Sequence, residues 1–161
     1  MNQKGRGEKV NNNSVIQIWE DFQKNVSNAP DTYEAWAFGD SKEMADDLAA
    51  LVAAGVKTAT SSNYLLYEKN ELLPYVGLHN IILDGDEQAV AIVENTAVEI
   101  VPFNEVTKEH AFLEGEGSRT LKYWRDAHEE FFKNEMTGSN QTFHHEIPVV
   151  CERFKVVYKN K

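Results

Sequence analysis

The chain has 161 residues, of which 42% are hydrophobic and 26% charged, and these proportions suit one compact domain with a sizeable core. Sixteen basic and 26 acidic residues give a formal net charge of −10, which argues against sequence-independent binding of long DNA or RNA. The only cysteine, Cys151, excludes an intramolecular disulfide and a cysteine-built zinc site.

The N-terminal segment, residues 1–13, carries basic residues and an asparagine run but lacks the apolar core of a signal peptide. No stretch is long and apolar enough to span a membrane. We therefore expect a cytoplasmic protein with a disordered tail over residues 1–13 and a single domain over residues 14–161. The sequence leaves the oligomeric state open.

Two helices and a short strand are predicted in the first third of the chain. Ser14 is expected to cap a helix through Val26, because hydrophobic residues recur there at helical spacing. A strand follows over residues 33–38. Asp40 is then expected to cap a second helix, which Gly55 ends.

Further strands and one long helix are predicted in the rest of the chain. The strands cover residues 57–62, 80–83, 88–103 and 149–158, where residues 88–103 form either one long, bent strand or two. The helix covers residues 118–135. The Asp84-Gly85 turn favours antiparallel pairing of its two flanking strands. Helices and strands do not alternate regularly, so we predict an α+β domain with a small, curved, barrel-like sheet flanked by helices.

The segment Gly55 to Thr60 holds a lysine and two threonines between a helix and a strand. Lysine can act as a base if neighbours lower its pKa, and threonine can act as a nucleophile. Strict alternation would place Lys57 and Thr60 on opposite faces, so a twist or bulge is needed to bring them together. The alternative is a solvated lysine beside threonines that simply favour a strand.

Other polar candidates each have a structural alternative. Glu114 precedes the Gly115-Glu116-Gly117 break, where a loop carboxylate could serve as an acid or base or lie on the surface. His128 falls on the apolar stripe of the long helix, as expected for a hydrogen-bonded core histidine. His144 and His145 lack a third ligand, so no metal or cofactor site is predicted.

Several segments, taken in order, resemble the ASCH domain family, whose fold is similar to the PUA domain of RNA-modifying proteins. The resemblance covers roughly residues 31 to 158 and is closest to a longer bacterial branch with an extra N-terminal helix. The segments that carry it are Trp36-Ala37-Phe38-Gly39-Asp40, Gly55-Val56-Lys57-Thr58-Ala59-Thr60, Pro74-Tyr75-Val76-Gly77, Ile82-Leu83-Asp84-Gly85, Val101-Pro102-Phe103, Glu114-Gly115-Glu116-Gly117 with Tyr123-Trp124-Arg125, and Pro148-Val149-Val150-Cys151-Glu152-Arg153-Phe154.

The resemblance implies a PUA-like β-barrel with a ligand cleft lined by the Gly-x-Lys-Thr segment. One type of family member is an amidohydrolase that removes the acetyl group from N4-acetylcytidine, and its Lys, Thr and Glu match Lys57, Thr60 and Glu114. An arginine of that type is replaced here by Ser61-Ser62, and Gly77-Leu78 stands for the family's usual Gly-Asp. Another branch is linked to RNA cleavage.

Three functions are therefore expected as alternatives. In the first, Lys57, made neutral by desolvation, activates Thr60 for attack on an acylated nucleoside, and Glu114 protonates the leaving amine or positions water. The second is ribonuclease action or binding of short RNA, and the third is a non-catalytic ligand-binding module in which Lys57 pairs with Glu114. The residues expected to contact the ligand are Trp36, Phe38, Thr58, Tyr64, Arg119 and Arg125.

Overall fold

The structure, a computed structural model, describes residues 10–160. Helix α1 spans Asn13–Asn25, and the Asn12 side chain caps it by accepting a hydrogen bond from the backbone N–H of Val15. The expected cap, Ser14, instead donates its hydroxyl to Asn12. Residues 1–9 of the predicted tail lie outside the described residues, whereas Val10 packs against the cluster beneath α1.

Four helices and five strands make up the described fold. After α1 come β1 (Glu34–Ala37), α2 (Lys42–Ala53), β2 (Ala59–Asn63), β3 (His79–Leu83), β4 (Ala89–Pro102), α3 (Lys108–Glu114), α4 (Leu121–Met136) and β5 (Pro148–Lys159). Short 3-10 turns cover Tyr64–Leu66 and Phe103–Glu105. Ser41, rather than the expected Asp40, caps α2 by accepting from the backbone of Met44. No helix within residues 10–160 has the length and apolarity needed to cross a membrane.

The five strands form one curled sheet, a half-barrel, in the order β1-β3-β4-β5-β2. The β3–β4 pair is antiparallel, as the Asp84-Gly85 turn predicts, while β1 pairs with β3 in parallel. Strand β4 is one long strand, and register shifts near Asn95 and Ile92 bend its pairing with β5. The α+β half-barrel flanked by helices confirms the predicted fold class.

The two faces of the sheet pack against different helices. One face, here called the α2 face, carries Trp36, Ile82, Val93 and Phe154, which form a buried cluster with Leu48 and Val52 of α2. The opposite face packs against α1 near β1 and β3. Near β2 and β5 it is covered by α3 and α4. Because side chains alternate along a strand, neighbouring residues of β2 point to different helices.

Candidate functional site

Lys57 lies between the end of α2 and the start of β2, and its side chain is wholly buried. Gly55 adopts φ +77° and turns the chain out of α2. The Lys57 Nζ donates to Glu116 Oε2 at 2.7 Å and to the Ala59 carbonyl at 2.8 Å. It also lies 3.4 Å from Glu114 Oε1 and 3.3 Å from the Glu114 carbonyl oxygen. The lysine head group is therefore fixed between two carboxylates.

These carboxylates decide the charge of Lys57. Burial by itself disfavours the ammonium form, but the nearby carboxylates of Glu116 and Glu114 outweigh it and raise the Lys57 pKa above its usual value. Lys57 is thus an ammonium ion at neutral pH. This differs from the expectation of a neutral base, because that expectation counted desolvation and left out the second carboxylate, Glu116.

Glu114 is the last residue of α3, rather than a loop residue beyond it, and is almost completely buried. Its Oε2 accepts hydrogen bonds from the Ser61 hydroxyl at 2.5 Å and from the Trp124 indole N–H at 2.6 Å. The same oxygen lies 2.9 Å from His110 Nε2, and Oε1 lies 3.4 Å from His128 Nε2. Four side chains from β2, α3 and α4 thus surround one carboxylate.

Both glutamates are held ionised. Burial opposes the charge of Glu114, but His128 and Lys57 lower the Glu114 pKa well below its usual value. Burial likewise opposes the charge of Glu116, but the Lys57 ammonium lowers the Glu116 pKa to about 2. Neither carboxyl therefore carries a proton to give to a leaving group at neutral pH.

Alternation along β2 separates Thr60 from Ser61. Ser61 faces α3 and α4, where it contacts Glu114, whereas Thr60 pairs across the sheet with Glu152 on the α2 face. The Thr60 hydroxyl is buried and has no hydrogen-bond partner among residues 10–160. The Lys57 ammonium is close to the backbone of Thr60. It contacts the Ala59 carbonyl, which belongs to the peptide bond between Ala59 and Thr60.

One of the predicted ligand-binding aromatic residues lies next to the ammonium, and a second packs against the first. The Phe38 ring centroid is 5.0 Å from Lys57 Nζ, and the Trp36 ring meets Phe38 edge-on at 4.7 Å. The Trp36 indole donates to Asn80 Oδ1 at 2.9 Å, which fixes the orientation of the ring. Trp36, Phe38 and Lys57 are therefore packed in sequence, and at most 4% of each is exposed.

The remaining predicted ligand contacts have other roles in this structure. Thr58 joins α3 to the site, since its backbone N–H donates to the Leu113 carbonyl at 2.8 Å. Arg119 stacks on Phe112 at 3.7 Å and donates to the Phe112 carbonyl. Arg125 donates to the Asn104 carbonyl. Within residues 10–160, neither arginine nor Tyr64 makes a hydrogen bond or ion pair with Lys57, Glu114 or Glu116.

A cavity of about 480 Å³ opens beside this cluster, between α2 and the start of α4. Glu116, which forms the ion pair with Lys57, is one of its lining residues. A cavity of this size can hold a small molecule. Its other lining residues are Ser41, Met44, Asp47, Leu48, Leu51, Gly117 and Tyr123.

The contact of Ser61 with His110 and Glu114 is not a serine-hydrolase triad. The Ser61 hydroxyl and Glu114 Oε2 both lie 2.9 Å from the same ring nitrogen, Nε2 of His110. In a triad, the carboxylate and the hydroxyl contact opposite ring nitrogens, so that the ring can pass a proton from one side to the other. The described residues also contain no cluster of three or more His, Cys, Asp or Glu side chains placed to hold a metal ion.

Sequence reasoning missed several residues of the site. Glu116 lies in a glycine-flanked break, and the sequence does not predict its contact with Lys57. Ser61 stands where the related amidohydrolases have an arginine, and the sequence does not predict its contact with Glu114. Asn95 and Glu152 are buried polar residues on the α2 face. The sequence does carry a signal for Glu152, which shares one alternating strand face with Val150 and Phe154, because a carboxylate on a hydrophobic strand face needs a buried partner.

Comparison with known proteins identifies the family. The ASCH domain family model matches residues 34–158. The fold is similar to a crystal structure of an ASCH domain from Lactobacillus crispatus JV V101, with a TM-score of 0.85 and 31% identity over 91% of this chain and 96% of that one. It is also similar to a crystal structure of a protein from Enterococcus faecalis V583, with a TM-score of 0.81 and 39% identity over 91% of this chain and 89% of that one. No curated protein matches the chain. The chain therefore belongs to the ASCH domain family.

Proposed function

We propose that the protein hydrolyses the amide bond of a small acylated nucleoside of the N4-acetylcytidine type. The observation that carries the proposal is the Lys57 ammonium, which is held between Glu114 and Glu116 and lies one peptide away from the unpartnered hydroxyl of Thr60. A fixed positive charge beside a potential nucleophile suits acyl transfer, because negative charge develops on the acyl oxygen in the transition state. Trp36 and Phe38 are buried against α2, and Phe38 packs beside the Lys57 ammonium.

The charges favour a different division of roles from the one that the sequence suggested. Lys57 acts as an ammonium that binds the developing oxyanion rather than as a neutral base. Its contacts with Glu116 and Ala59 are short, whereas those with Glu114 are 3.3 and 3.4 Å. The N–H that points towards Glu114 is therefore the one most readily given to a substrate oxygen.

The proposed reaction conserves protons at every step. The Thr60 oxygen attacks the acyl carbon, the C–N bond breaks, and the proton of the Thr60 hydroxyl ends on the leaving nitrogen. Water then cleaves the Thr60 ester, which restores the hydroxyl and releases the carboxylic acid. Glu114 stays ionised throughout and keeps Lys57 in place.

Incubation with N4-acetylcytidine and chromatographic detection of cytidine tests this proposal. We expect turnover by the wild type and by Thr60→Ser, and a loss of at least about a hundredfold in Thr60→Val and Lys57→Ala, the scale seen when a nucleophile or an oxyanion donor is removed. Lys42→Ala is the matched control, since Lys42 forms an exposed pair with Asp86. No turnover by the wild type, or equal rates in all variants, would refute the proposal.

The same contacts support a second candidate, a non-catalytic ligand-binding module. Lys57 is already neutralised by two carboxylates, which is the arrangement expected for a structural ion pair. Tight binding of N4-acetylcytidine without release of cytidine would identify this function. The RNA-directed alternative has less support, because Arg119 and Arg125 are occupied by backbone carbonyls.

A further inference from the structure

We propose that Thr60, Glu152 and Asn95 form a recognition row on the α2 face that selects ligands with an N–H group, and that Asn95 is its specificity-determining residue. The row would restrict the substrate to secondary amides, R–NH–CO–R′, and reject tertiary amides. This inference rests on the proposed function for the choice of an acylated nucleoside as the ligand.

The row crosses three adjacent strands. Thr60 of β2 is paired directly with Glu152 of β5, so the two side chains lie on the same face. Asn95 of β4 reaches Glu152 from the other side, and its Nδ2 donates to Glu152 Oε1 at 3.0 Å. All three side chains are buried, with at most 1% of their surface exposed.

Glu152 determines which end of the Asn95 amide faces away from it. A carboxylate only accepts hydrogen bonds, so the amide must turn its NH2 group towards Glu152. The carbonyl end, Oδ1, is then left over. It is buried and has no hydrogen-bond partner among residues 10–160. The open atom of Asn95 is therefore an acceptor, and only a donor can satisfy it.

Two unpartnered polar atoms in one row require an explanation. A buried polar group without a hydrogen bond costs about 1–3 kcal/mol, and folded proteins rarely retain such groups without a reason. Both Thr60 Oγ1 and Asn95 Oδ1 belong to this class, and they flank a carboxylate that orients one of them. A ligand that donates to Asn95 would remove the cost.

A secondary amide supplies the donor that Asn95 lacks. Its N–H can donate to Asn95 Oδ1, and its acyl carbon, one bond away, then lies over the sheet face that also carries Thr60. Thr60 is the residue proposed to attack that carbon. A methyl group on the amide nitrogen would remove the donor and place an apolar group against the Asn95 oxygen, leaving it unpaired. Sites with such buried polar groups discriminate strongly against ligands that cannot pair with them.

Calorimetry tests the proposal. It measures the binding of N4-acetylcytidine and its N4-methyl derivative to the wild type, to Asn95→Ala and to Thr60→Val. We expect the wild type to bind the secondary amide at least about tenfold more tightly than the methylated one. Asn95→Ala should reduce this ratio to near one, while Thr60→Val should retain part of it. Equal affinity for both compounds in the wild type, an unchanged ratio in Asn95→Ala, or no binding of either compound would overturn the inference.

A measurement without ligand covers the case in which Asn95→Ala fails to fold. Thr60→Val replaces a hydroxyl that lacks a partner with a methyl group of similar size, so its melting temperature should equal or exceed that of the wild type. A lower melting temperature would show that the hydroxyl is already satisfied and would overturn the row. Binding with the expected ratio but without release of cytidine refutes hydrolysis and leaves the recognition row standing. Release of cytidine without any preference for the N–H compound refutes the recognition row and leaves the proposed hydrolysis standing.

Discussion

Replacement of Lys57 by methionine removes the charge from the buried cluster while keeping a side chain of similar length. It leaves Glu114 and Glu116 without their shared cation, and removal of one partner of a buried ion pair costs about 3–5 kcal/mol. The Glu116 pKa gives a similar figure, because a shift from 4.5 to about 2 corresponds to roughly 3 kcal/mol. We therefore expect the melting temperature of Lys57→Met to fall by roughly 6–20 °C at neutral pH.

The dependence on pH separates lost charge pairing from lost packing. The Glu116 pKa is lowered in the folded state, so its contribution to stability is full above the unfolded value of 4.5 and is lost as the pH falls towards about 2. The Lys57 pKa is raised, so its contribution is full below the unfolded value of 10.5 and is lost as the pH rises above it. The deficit of Lys57→Met should thus be largest between these limits and should shrink in acid.

Thermal unfolding followed by circular dichroism, at neutral pH and at about pH 3.5, measures this deficit. Lys42→Met is the matched control, because its partner Asp86 is exposed and no resolved change in melting temperature is expected. A second variant, Lys57→Met combined with Glu116→Gln, should recover part of the loss by removing one uncompensated carboxylate. A Lys57→Met deficit that is absent, or that is the same at both pH values, would refute the electrostatic account of the cluster.

Three further predictions concern neighbouring residues. Trp124→Phe removes the indole hydrogen bond to Glu114 and should lower the free energy of unfolding in urea by about 1.5–3 kcal/mol, as expected for a hydrogen bond to a charged group; an unchanged urea midpoint would contradict the contact. Gly115→Ala should destabilise the fold more than Gly138→Ala, because both residues have positive φ but only a Cβ at Gly115 would meet the Val56 carbonyl, at 2.7 Å; equal losses in thermal unfolding would count against this. Burial raises the pKa of Cys151 to about 12, so the native thiol should react far more slowly with a disulfide reagent at about pH 8 than it does in urea; similar rates in both states would show an accessible thiolate.

The secondary structure followed closely from local patterns. The helical spacing after Ser14 gave a helix whose observed limits are Asn13–Asn25, and the alternation over residues 149–158 gave β5. The caps were less predictable, because Asn12 and Ser41, one or two residues away from the expected ones, have the same ability to accept a backbone hydrogen bond. The parallel pairing of β1 with β3 was not predicted, since it joins segments more than forty residues apart.

The site was partly predictable, because two of its residues lie in local motifs. The motif at Gly55 to Thr60 pointed to Lys57, and the glycine break pointed to Glu114, so the sequence identified two members of the buried cluster. It did not identify Glu116 as the closer partner of Lys57. That partner depends on how the chain turns after α3, where Gly115 adopts φ +74°.

The sequence by itself determined the fold class, the order of most elements and the two segments that meet at the site, because these depend on hydrophobic spacing, turn residues and ordered motifs. The tertiary structure alone decided the charges. Lys57 became an ammonium rather than a neutral base because two carboxylates from a segment almost sixty residues away converge on it. It also decided that Thr60 and Ser61 face different helices, since the direction of each side chain depends on where β2 pairs in the sheet.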